Sequence, residues 1–371
     1  GTVRWDRSGG GPGRVRITPQ LIRVADDSHL WAAAYEREMA DVFALQSDVA
    51  AEVVRALGQS LSAGESTAVG RVPTRDLAAY DLYLRAKRVA ESSFDAREAG
   101  EAVRLLEQAV ARVPGCAEAH GALARRHLHD YWFYRDRSAA CLERARRSAE
   151  KAVALAPDSP ETHLALGYYY YMGHLDYGRA LDETRTALRL RPEDPEAVAL
   201  EAFVHRREGR AEEALRLLER VVAVDSGSAY LWHNLAETYW MLRRLPDADR
   251  GFERAIALNP HWGLEYVYRA GVRLCQGAGV AAARAVIAQA PAGPELREAD
   301  MVTQALVQLD VLERRYDQAL ARVRAHQPDV PVTEQHVGAP VVPTLGLVAR
   351  HRFTVPGVGR AVPVVLSFVV P

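Results

Sequence analysis

Apolar residues recur at helical spacing through most of the chain, in segments that stop at a regular interval of about 34 residues. The stops are the phrases LAP, LRP, VDS and LNP, which end at Pro157, Pro192, Ser226 and Pro260. Proline at such a point ends a helix because it cannot continue the hydrogen-bonded turn. The period therefore predicts a stack of helix pairs.

Small residues occupy matching places in successive periods, where two helices must approach closely. One series lies on the first helix of each pair and consists of Gly167, Ala202, Ala236 and Ala270. The other lies on the second helix and consists of Ala180, Ala214, Ala248 and Ala282, followed by Ala187 and Ala255. Because a single pair cannot bury both of its faces, the pattern predicts that neighbouring pairs stabilise one another by stacking.

Residues 228–260, SAYLWHNLAETYWMLRRLPDADRGFERAIALNP, carry the most complete set of these features. They resemble the tetratricopeptide-repeat (TPR) family at Trp232, Leu235, Ala236, Tyr239, Ala248, Phe252, Ala255 and Pro260. The resemblance implies a mainly all-α protein, a right-handed α-α superhelix (TPR solenoid) of about seven helix pairs over residues 78–326. The unit 116–157 is longer than the others, and we expect an extended helix or a loop at 129–138.

Residues 1–70 follow a different pattern. Apolar positions alternate in GTVRW and RVRITPQLI around a glycine-rich stretch, which predicts a β-hairpin, and HLWAAAYE is expected as a third strand. An amphipathic helix beginning at Asp41 follows, and its apolar face consists of Val42, Leu45, Val49, Val53 and Leu57. The sequence therefore predicts a small truncated α/β N-terminal piece before the solenoid.

This amino-terminal piece resembles the latter half of the TolB amino-terminal-like domain, which precedes TPRs in certain bacterial multidomain signalling proteins. The matching features are residues 16–21, the HLW of 29–31, Tyr35 and the D-x-F-x-L-Q of 41–46. In that family the domain and the repeats follow a nucleotide cyclase, a serine/threonine kinase or a winged-helix regulator. The family's first strand and helix are absent here and the chain begins with Gly, which favours a fragment of a longer protein with an unpaired strand edge.

Residues 327–371 lose the helical spacing. No acidic residue follows Glu334, and prolines at 331, 340, 343, 356, 363 and 371 exclude a continuous helix. We expect an irregular or disordered tail here, and the change of composition also suggests an altered reading frame.

Composition narrows the classes of function. The formal net charge of -1 and a pI near 7.0 disfavour nucleic acid and anionic membranes as partners, because arginines and carboxylates balance. The cysteines Cys116, Cys141 and Cys275 lie far apart and indicate neither a disulfide framework nor a zinc site, which favours the reducing cytoplasm. No apolar segment is long enough to predict a membrane helix.

Candidate catalytic and metal-binding patterns are weak. The glycine cluster at 9–13 lacks the G-K-[ST] ending of a phosphate-binding loop, so we interpret it as a hairpin loop. His127 and His129, beside Asp130, stand two apart on a predicted helix and point to different sides, which favours packing or solvated histidines over metal ligands. We predict no enzyme within this chain, no cofactor and no metal.

The TPR resemblance implies where a partner binds. In that family, ligands lie along the concave face lined by the first helix of each pair, which by repeat position corresponds to Tyr168, Tyr171, Phe203, Arg206, His233, Glu237 and Trp240. Aromatic and arginine side chains commonly anchor interfaces. The alternative is that Tyr168 to Tyr171 and Trp240 pack between adjacent repeats. A chaperone-type carboxylate clamp is disfavoured, because His233 and Glu237 stand where that subtype has lysine and asparagine.

The predicted function is a protein-interaction scaffold or regulatory module that binds a protein or peptide within a bacterial signalling protein. Two alternatives stay open. One is the regulatory region of a cyclase or kinase whose catalytic domain lies outside this chain, and the other is the carboxyl-terminal region of a winged-helix transcription regulator. Self-association through an edge strand or a solenoid face is also open.

Overall fold

The computed structural model describes residues 2–6, 14–23, 26–38, 42–58, 72–92, 96–132, 136–291, 297–326, 347–354 and 361–368. The chain divides into two compact units. The first consists of Gly1–Leu84 and Gln108–Cys116, and the second of Arg85–Glu107 and Ala117–Pro371.

Short antiparallel strands form the start of the first unit. They are β1 (Thr2–Asp6), β2 (Arg14–Thr18), β3 (Gln20–Arg23), β4 (Ser28–Ala32) and β5 (Tyr35–Glu38). Strand β2 lies between β1 and β5 in one sheet, whereas β3 and β4 form a separate hairpin. The expected β1–β2 hairpin is confirmed, but the expected third strand is wrong as one element, because HLWAAAYE is divided between β4 and β5. Pro19 separates β2 from β3, since proline cannot donate to a strand ladder.

Helix α1 (Val42–Ala56) contacts β4 and β5. Val15 on β2 and Leu45 on α1 are fully buried, whereas Leu57 follows the end of the helix and is 54% exposed. The apolar face is therefore shorter than its sequence pattern indicates. The glycine cluster at 9–13 lies outside the described residues.

Helices dominate the rest of the chain. They are α2 (Leu77–Ser92), α3 (Ala96–Arg112), α4 (Ala117–Trp132), α5 (Ala139–Leu155), α6 (Pro160–Tyr168), α7 (Tyr177–Leu190), α8 (Pro195–Arg207), α9 (Ala211–Val224), α10 (Ala229–Met241), α11 (Leu245–Leu258), α12 (Gly263–Cys275), α13 (Gly279–Ile287), α14 (Arg297–Leu312) and α15 (Tyr316–His326). Taken two at a time along the chain, these helices are numbered as pairs one to seven, from α2/α3 to α14/α15. From α4 onward each helix contacts the next along the chain. The predicted all-α solenoid is confirmed.

The turns inside the pairs repeat a backbone feature. Leu175, Gly209, Arg243 and Gly277 all have positive φ, at 54°, 81°, 59° and 78°, and each lies 34 residues after the previous one. This left-handed conformation ends one helix and lets the chain reverse into the next. The same corner therefore recurs in pairs three to six.

Small residues bring the helices together. The positions predicted on the first helices are buried, as are Ala180, Ala214 and Ala248 on the second helices. In pair six, however, Ala282 is only half-buried, and Ala283 takes the buried place. The degenerate repeat shifts the register there by one residue, which rotates the helix face by about 100°.

The long second pair shows how its extra residues are used. Helix α4 has 16 residues, against 13 in α8 and in α10. Its extension carries Trp132, and Ser138 then caps α5 by accepting a hydrogen bond from the Cys141 amide at 3.1 Å. Of the segment 129–138, where an extended helix or a loop is expected, residues 129–132 continue the helix and residues 136–138 are not helical. Residues 133–135 lie outside the described part of the chain.

The tail differs from the irregular segment that its prolines predict. Strands β6 (Leu347–Thr354) and β7 (Ala361–Phe368) pair antiparallel, with Pro363 opposite Arg352. Proline excludes a helix but is tolerated in a two-stranded sheet, because each strand there keeps one side free of ladder hydrogen bonds. Residues 327–346 of the expected tail lie outside the described residues.

Candidate functional site: the concave first-helix face

The first helices of neighbouring pairs approach one another closely on one side of the stack, as an ion pair between two of them shows. Arg125 on α4 donates to both carboxylate oxygens of Glu196 on α8, at 2.6 and 3.0 Å. Its guanidinium also lies 5.4 Å from the ring centre of Tyr168 on α6. These first helices belong to pairs two, four and three, so the contact reaches across a whole pair. The first helices therefore line the concave side, which we call the inner face.

A row of aromatic side chains runs along the inner face through pairs two to five. Trp132 stacks on Tyr171 with ring centres 5.5 Å apart, and Tyr171 lies 6.4 Å from Phe203. Phe203 meets Tyr230 edge-on at 5.9 Å. Tyr171 and Phe203 are buried, whereas Trp132 and Tyr230 are half-buried. We call these four residues the inner aromatic row.

A π-helical turn supplies one member of the row. Helix α6 ends at Tyr168, and residues Tyr169–His174 continue as a π-helix. A π turn contains more residues than an α turn, so it rotates the side chains that follow relative to a regular helix. Its geometry is held by a 2.7 Å hydrogen bond between the Tyr169 hydroxyl and His174 Nε2. Nothing in the helical spacing predicts this turn.

Arg207 is the partly exposed cation beside the row. Its guanidinium lies 5.4 Å from the ring centre of Trp132, and its Nε donates to the Tyr171 hydroxyl at 3.4 Å. Among the described residues, no carboxylate oxygen lies within 4.0 Å of its nitrogens. Burial acts against its charge, but Tyr171 and Glu237 outweigh it and raise the pKa of Arg207. This arginine therefore stays charged and lacks an ion-pair partner in the described chain.

Its neighbour Arg206 is used internally. It forms an ion pair with Glu237 at 2.8 Å and donates to the Asn234 carbonyl, the Asn234 side chain and the Thr238 hydroxyl at 3.1–3.2 Å. Burial alone would raise the pKa of Glu237, but the charge of Arg206 outweighs it and lowers that pKa. The Arg206–Glu237 pair thus fixes α8 to α10 rather than presenting charge to a partner.

His233 and Trp240 point between pairs five and six. The His233 ring has aromatic neighbours on two sides, with ring centres of Trp262 and Tyr268 at 5.0 and 5.2 Å. Trp240 packs edge-on against Phe252 and Tyr268, at 6.3 and 5.9 Å. Both side chains therefore belong to the helix packing.

All seven residues predicted to face a partner are buried. Their exposed fractions are 5% for Tyr168, 3% for Tyr171, 2% for Phe203, 6% for Arg206, 9% for His233, 9% for Glu237 and 5% for Trp240. Tyr171 and Phe203 form the floor of the inner face, and Tyr168 lies beneath Arg125. Direct contact with a partner stays a prediction, and the packing alternative describes Trp240. Sequence reasoning missed Trp132, Arg207 and Tyr230, although Arg207 stands four residues after Phe203 on the same helix face.

The histidines singled out in the sequence, His127 and His129, lie on α4. His127 is buried, and burial lowers its pKa to about 4, so this side chain is neutral and part of the packing. Within the described ranges, no group of three or more His, Cys, Asp or Glu side chains is arranged to hold a metal ion. None of the described helices combines the length and apolarity needed to cross a membrane.

Stacked antiparallel helix pairs with an inner face formed by their first helices define the class of helical repeat proteins. Residues 205–266, from the end of α8 to the start of α12, match the family model described as tetratricopeptide repeat. The chain is thus a helical repeat protein with a tetratricopeptide-repeat match over residues 205–266, and it resembles bacterial signalling proteins. TPR folds generally serve as scaffolds for protein–protein interaction.

One relative supports the signalling resemblance. A protein of Rhizobium meliloti (strain 1021) named "Putative adenylate cyclase 3" is 33% identical over 177 residues. The match covers 47% of this chain and 29% of the relative, so the chain spans less than a third of that protein's length.

Solved structures are similar to the chain in fold. Human IFIT1 in a complex with m7Gppp-AAAA matches 76% of this chain and 64% of its own, with a TM-score of 0.56 and 14% identity. A thermophilic TPR protein of Thermus thermophilus covers 53% of this chain and 100% of its own, with a TM-score of 0.44 and 20% identity. At 14% identity the likeness to IFIT1 concerns the fold and not the ligand.

Proposed function

We propose that this chain binds an extended peptide segment of a partner protein along the inner face, with an acidic group of the peptide held by Arg207. The observation that carries the proposal is a charged, partly exposed guanidinium without a carboxylate partner in the described chain, beside the half-buried ring of Trp132. An arginine in this setting offers several donors in a fixed plane that fits a carboxylate.

The inner aromatic row supplies the apolar part of the proposed site. Trp132 and Tyr230 are half-buried, so each offers part of a large ring surface with little side-chain entropy left to lose. Tyr171 and Phe203 support them from below, through the stacked and edge-on contacts described above. A rigid apolar floor with one unpaired cation favours a peptide in which an acidic residue lies near an apolar one.

Other charges on the face do not compete for the same role. Arg125 donates two hydrogen bonds to the Glu196 carboxylate. Burial alone would raise the pKa of Glu196, but the positive charge of Arg125 outweighs burial and lowers that pKa. Arg206 is saturated by Glu237, Asn234 and Thr238. Arg207 therefore provides the proposed selectivity for an acidic group.

The test is selection from a peptide library displayed on phage, followed by measurement of Kd for the selected peptides by fluorescence polarisation. We expect an acidic residue to be enriched at one position. Arg207→Gln should weaken binding by about tenfold to a hundredfold, since a hydrogen bond to a charged group contributes about 1.5–3 kcal/mol.

The matched control is Arg216→Gln. Arg216 is an exposed arginine on α9, a second helix, so its loss removes the same charge away from the inner face. Equal Kd values for the two variants, or selected peptides without an acidic preference, would contradict the proposal.

A second candidate function is the regulatory region of a nucleotide cyclase, and the Rhizobium meliloti relative favours it by its name. In that case the inner face would hold a peptide that controls a catalytic domain elsewhere in the same protein. Sequencing the gene upstream of the codon for Gly1 tests this. An in-frame cyclase domain supports the cyclase form, whereas a kinase or winged-helix domain favours the other forms.

We also propose a cytoplasmic location, supported by the thiols of Cys141 and Cys275, which form no disulfide within the described part of the chain. Fractionation of the source cells, with detection of the chain by antibody, checks this. Recovery from an oxidising compartment would contradict it.

A further inference from the structure

The contact between α10 and α12 contains a buried carboxylate that accepts no hydrogen bond from the described residues. Glu265 in the first turn of α12 has no exposed surface, and neither of its oxygens has a hydrogen-bond partner among the described residues. A buried carboxylate normally accepts several hydrogen bonds, because leaving it unsolvated and unpaired costs several kcal/mol. Some other group must therefore offset the charge of Glu265.

His233 on α10 is that group. Its Nδ1 lies 2.7 Å from Glu265 Oε1, although the two atoms are not aligned as a hydrogen bond. The contact is an ion pair when the imidazole is protonated and a neutral pair when the carboxyl holds the proton. In both forms the pair carries one proton and no net charge.

Among the described groups around His233, no other positive charge is available to offset Glu265 when the proton is lost. The charged and titratable groups that face His233 are Glu265 and Tyr268 from α12, Glu237 from its own helix, and Arg206 from α8. Arg206 is already paired with Glu237 at 2.8 Å. From α11 the histidine meets the ring of Phe252 at 5.9 Å, and from the turn before α12 it meets the ring of Trp262. Loss of the proton would leave Glu265 as an uncompensated buried anion.

We propose that the His233–Glu265 pair is a proton-controlled latch, which holds α10 against α12 while the pair keeps one proton and loosens this junction when the proton leaves. The step is simple: the proton passes from the pair to solvent, and a neutral imidazole and a carboxylate remain. The carboxylate then gains hydration only if the two helices separate. The junction between pairs five and six is thus closed while the pair is protonated and opens as the pH rises.

The titration of both partners has the direction that this geometry requires. Burial lowers the pKa of His233, but the Glu265 charge outweighs it and raises that pKa above its ordinary value. Burial raises the pKa of Glu265. A group whose pKa is raised in the folded state stabilises the fold fully at pH values below its unfolded pKa, which is about 6.5 for histidine. That stabilisation is lost as the pH rises through the folded-state pKa. Stability at the junction should therefore fall on the alkaline side of pH 6.5.

The experiment compares thermal unfolding of the full chain at pH 6 and pH 9 in the wild type, Glu265→Gln and Glu253→Gln. Glutamine keeps the shape of Glu265 but removes the charge that requires a proton nearby. Glu253 on α11 provides the control, because it loses the same charge from a side chain that is 59% exposed. We expect Tm to fall by about 3 °C or more on the alkaline side in the wild type and in Glu253→Gln, and this fall to vanish in Glu265→Gln. An equal fall in all three proteins overturns the latch.

Two measurements on the wild type keep the test decisive if Glu265→Gln does not fold. NMR titration of the His233 ring should give a midpoint above 6.5, and a lower midpoint overturns the proposal. Hydrogen exchange, corrected for the intrinsic effect of pH, should show that α10 and α12 lose protection at pH 9 relative to α8 and α9. Uniform protection would also overturn it. No peptide is present in these experiments, so their failure leaves the proposed role of Arg207 untouched.

Discussion

Gly251 shows how closely two helices of one pair approach. A Cβ atom built on Gly251 in α11 would lie 2.7 Å from the Cβ of Ala236 in α10 and 3.2 Å from its Cα. Both neighbouring atoms belong to the backbone or are fixed to it, so neither can move aside as a flexible side chain would. The alanine at 236 was predicted from the repeat, whereas the matching glycine on the opposite helix was not.

Gly251→Ala should destabilise the chain by about 1–3 kcal/mol, because the helices must separate to admit one methyl group. Urea unfolding followed by circular dichroism measures the change. Gly100→Ala on α3 is the control. No atom of the described residues lies within 4 Å of a Cβ placed on Gly100, so alanine should stabilise that helix by about 0.5–1 kcal/mol. Equal effects of the two substitutions would show that the close approach is not limiting.

At the scale of elements, the corner between the helices of a pair is set by backbone conformation rather than by residue type. Glycine occupies the positive-φ position at 209 and 277, but leucine and arginine occupy it at 175 and 243. A side chain makes this conformation costly by about 1–2 kcal/mol. Packing of the two helices therefore imposes the corner even where the local sequence disfavours it.

This predicts opposite results at equivalent corners. Gly209→Ala, at φ 81°, should destabilise pair four by about 1 kcal/mol, and Arg243→Gly should stabilise pair five by up to about the same amount. Within the described ranges, no atom lies within 4 Å of a Cβ placed on Gly209, so the effect there is conformational and not steric. Chemical denaturation checks both, and the same sign for the two variants would contradict the explanation.

At the scale of the whole molecule, the buried apolar residues of the solenoid form consecutive clusters. One cluster extends from Ala124 to Leu235, a second from Ala236 to Val272, and a third from Ala270 to Leu309. The first division falls inside α10, next to the His233–Glu265 pair. Because repeat arrays are stabilised mainly by contacts between neighbours, a weak point here should let the later pairs open separately.

Phe252→Ala tests this division. Phe252 is fully buried at the centre of the second cluster, so its truncation should cost about 3–5 kcal/mol. We expect hydrogen exchange to show loss of protection in α10 to α13, while α4 to α8 keep theirs, and denaturation to separate into two transitions. Val224→Ala is the control, since this side chain is 72% exposed and its loss should change stability by less than about 0.5 kcal/mol. A uniform loss of protection would mean that the solenoid unfolds as one unit.

The sequence by itself determined the helix-pair architecture, because period, proline stops and small contact residues are local signals that repeat. It also located the side of the solenoid where a partner is proposed to bind, through the TPR resemblance. It did not decide which side chains remain accessible there. Arg206 and Arg207 are adjacent in sequence, but their side chains leave the helix about 100° apart around its axis. A small rotation of the helix therefore decides which of the two is buried.

Only the tertiary structure decided the features that depend on contacts between distant segments. The π turn that places Tyr171 on Trp132, the division of residues 28–38 between two sheets, and the ion pair from Arg125 to Glu196 are of this kind. Each depends on how one element is rotated or displaced against another, and a periodic pattern is the same for many such arrangements. The buried His233–Glu265 contact belongs with them, since nothing local to either residue indicates that the other is its partner.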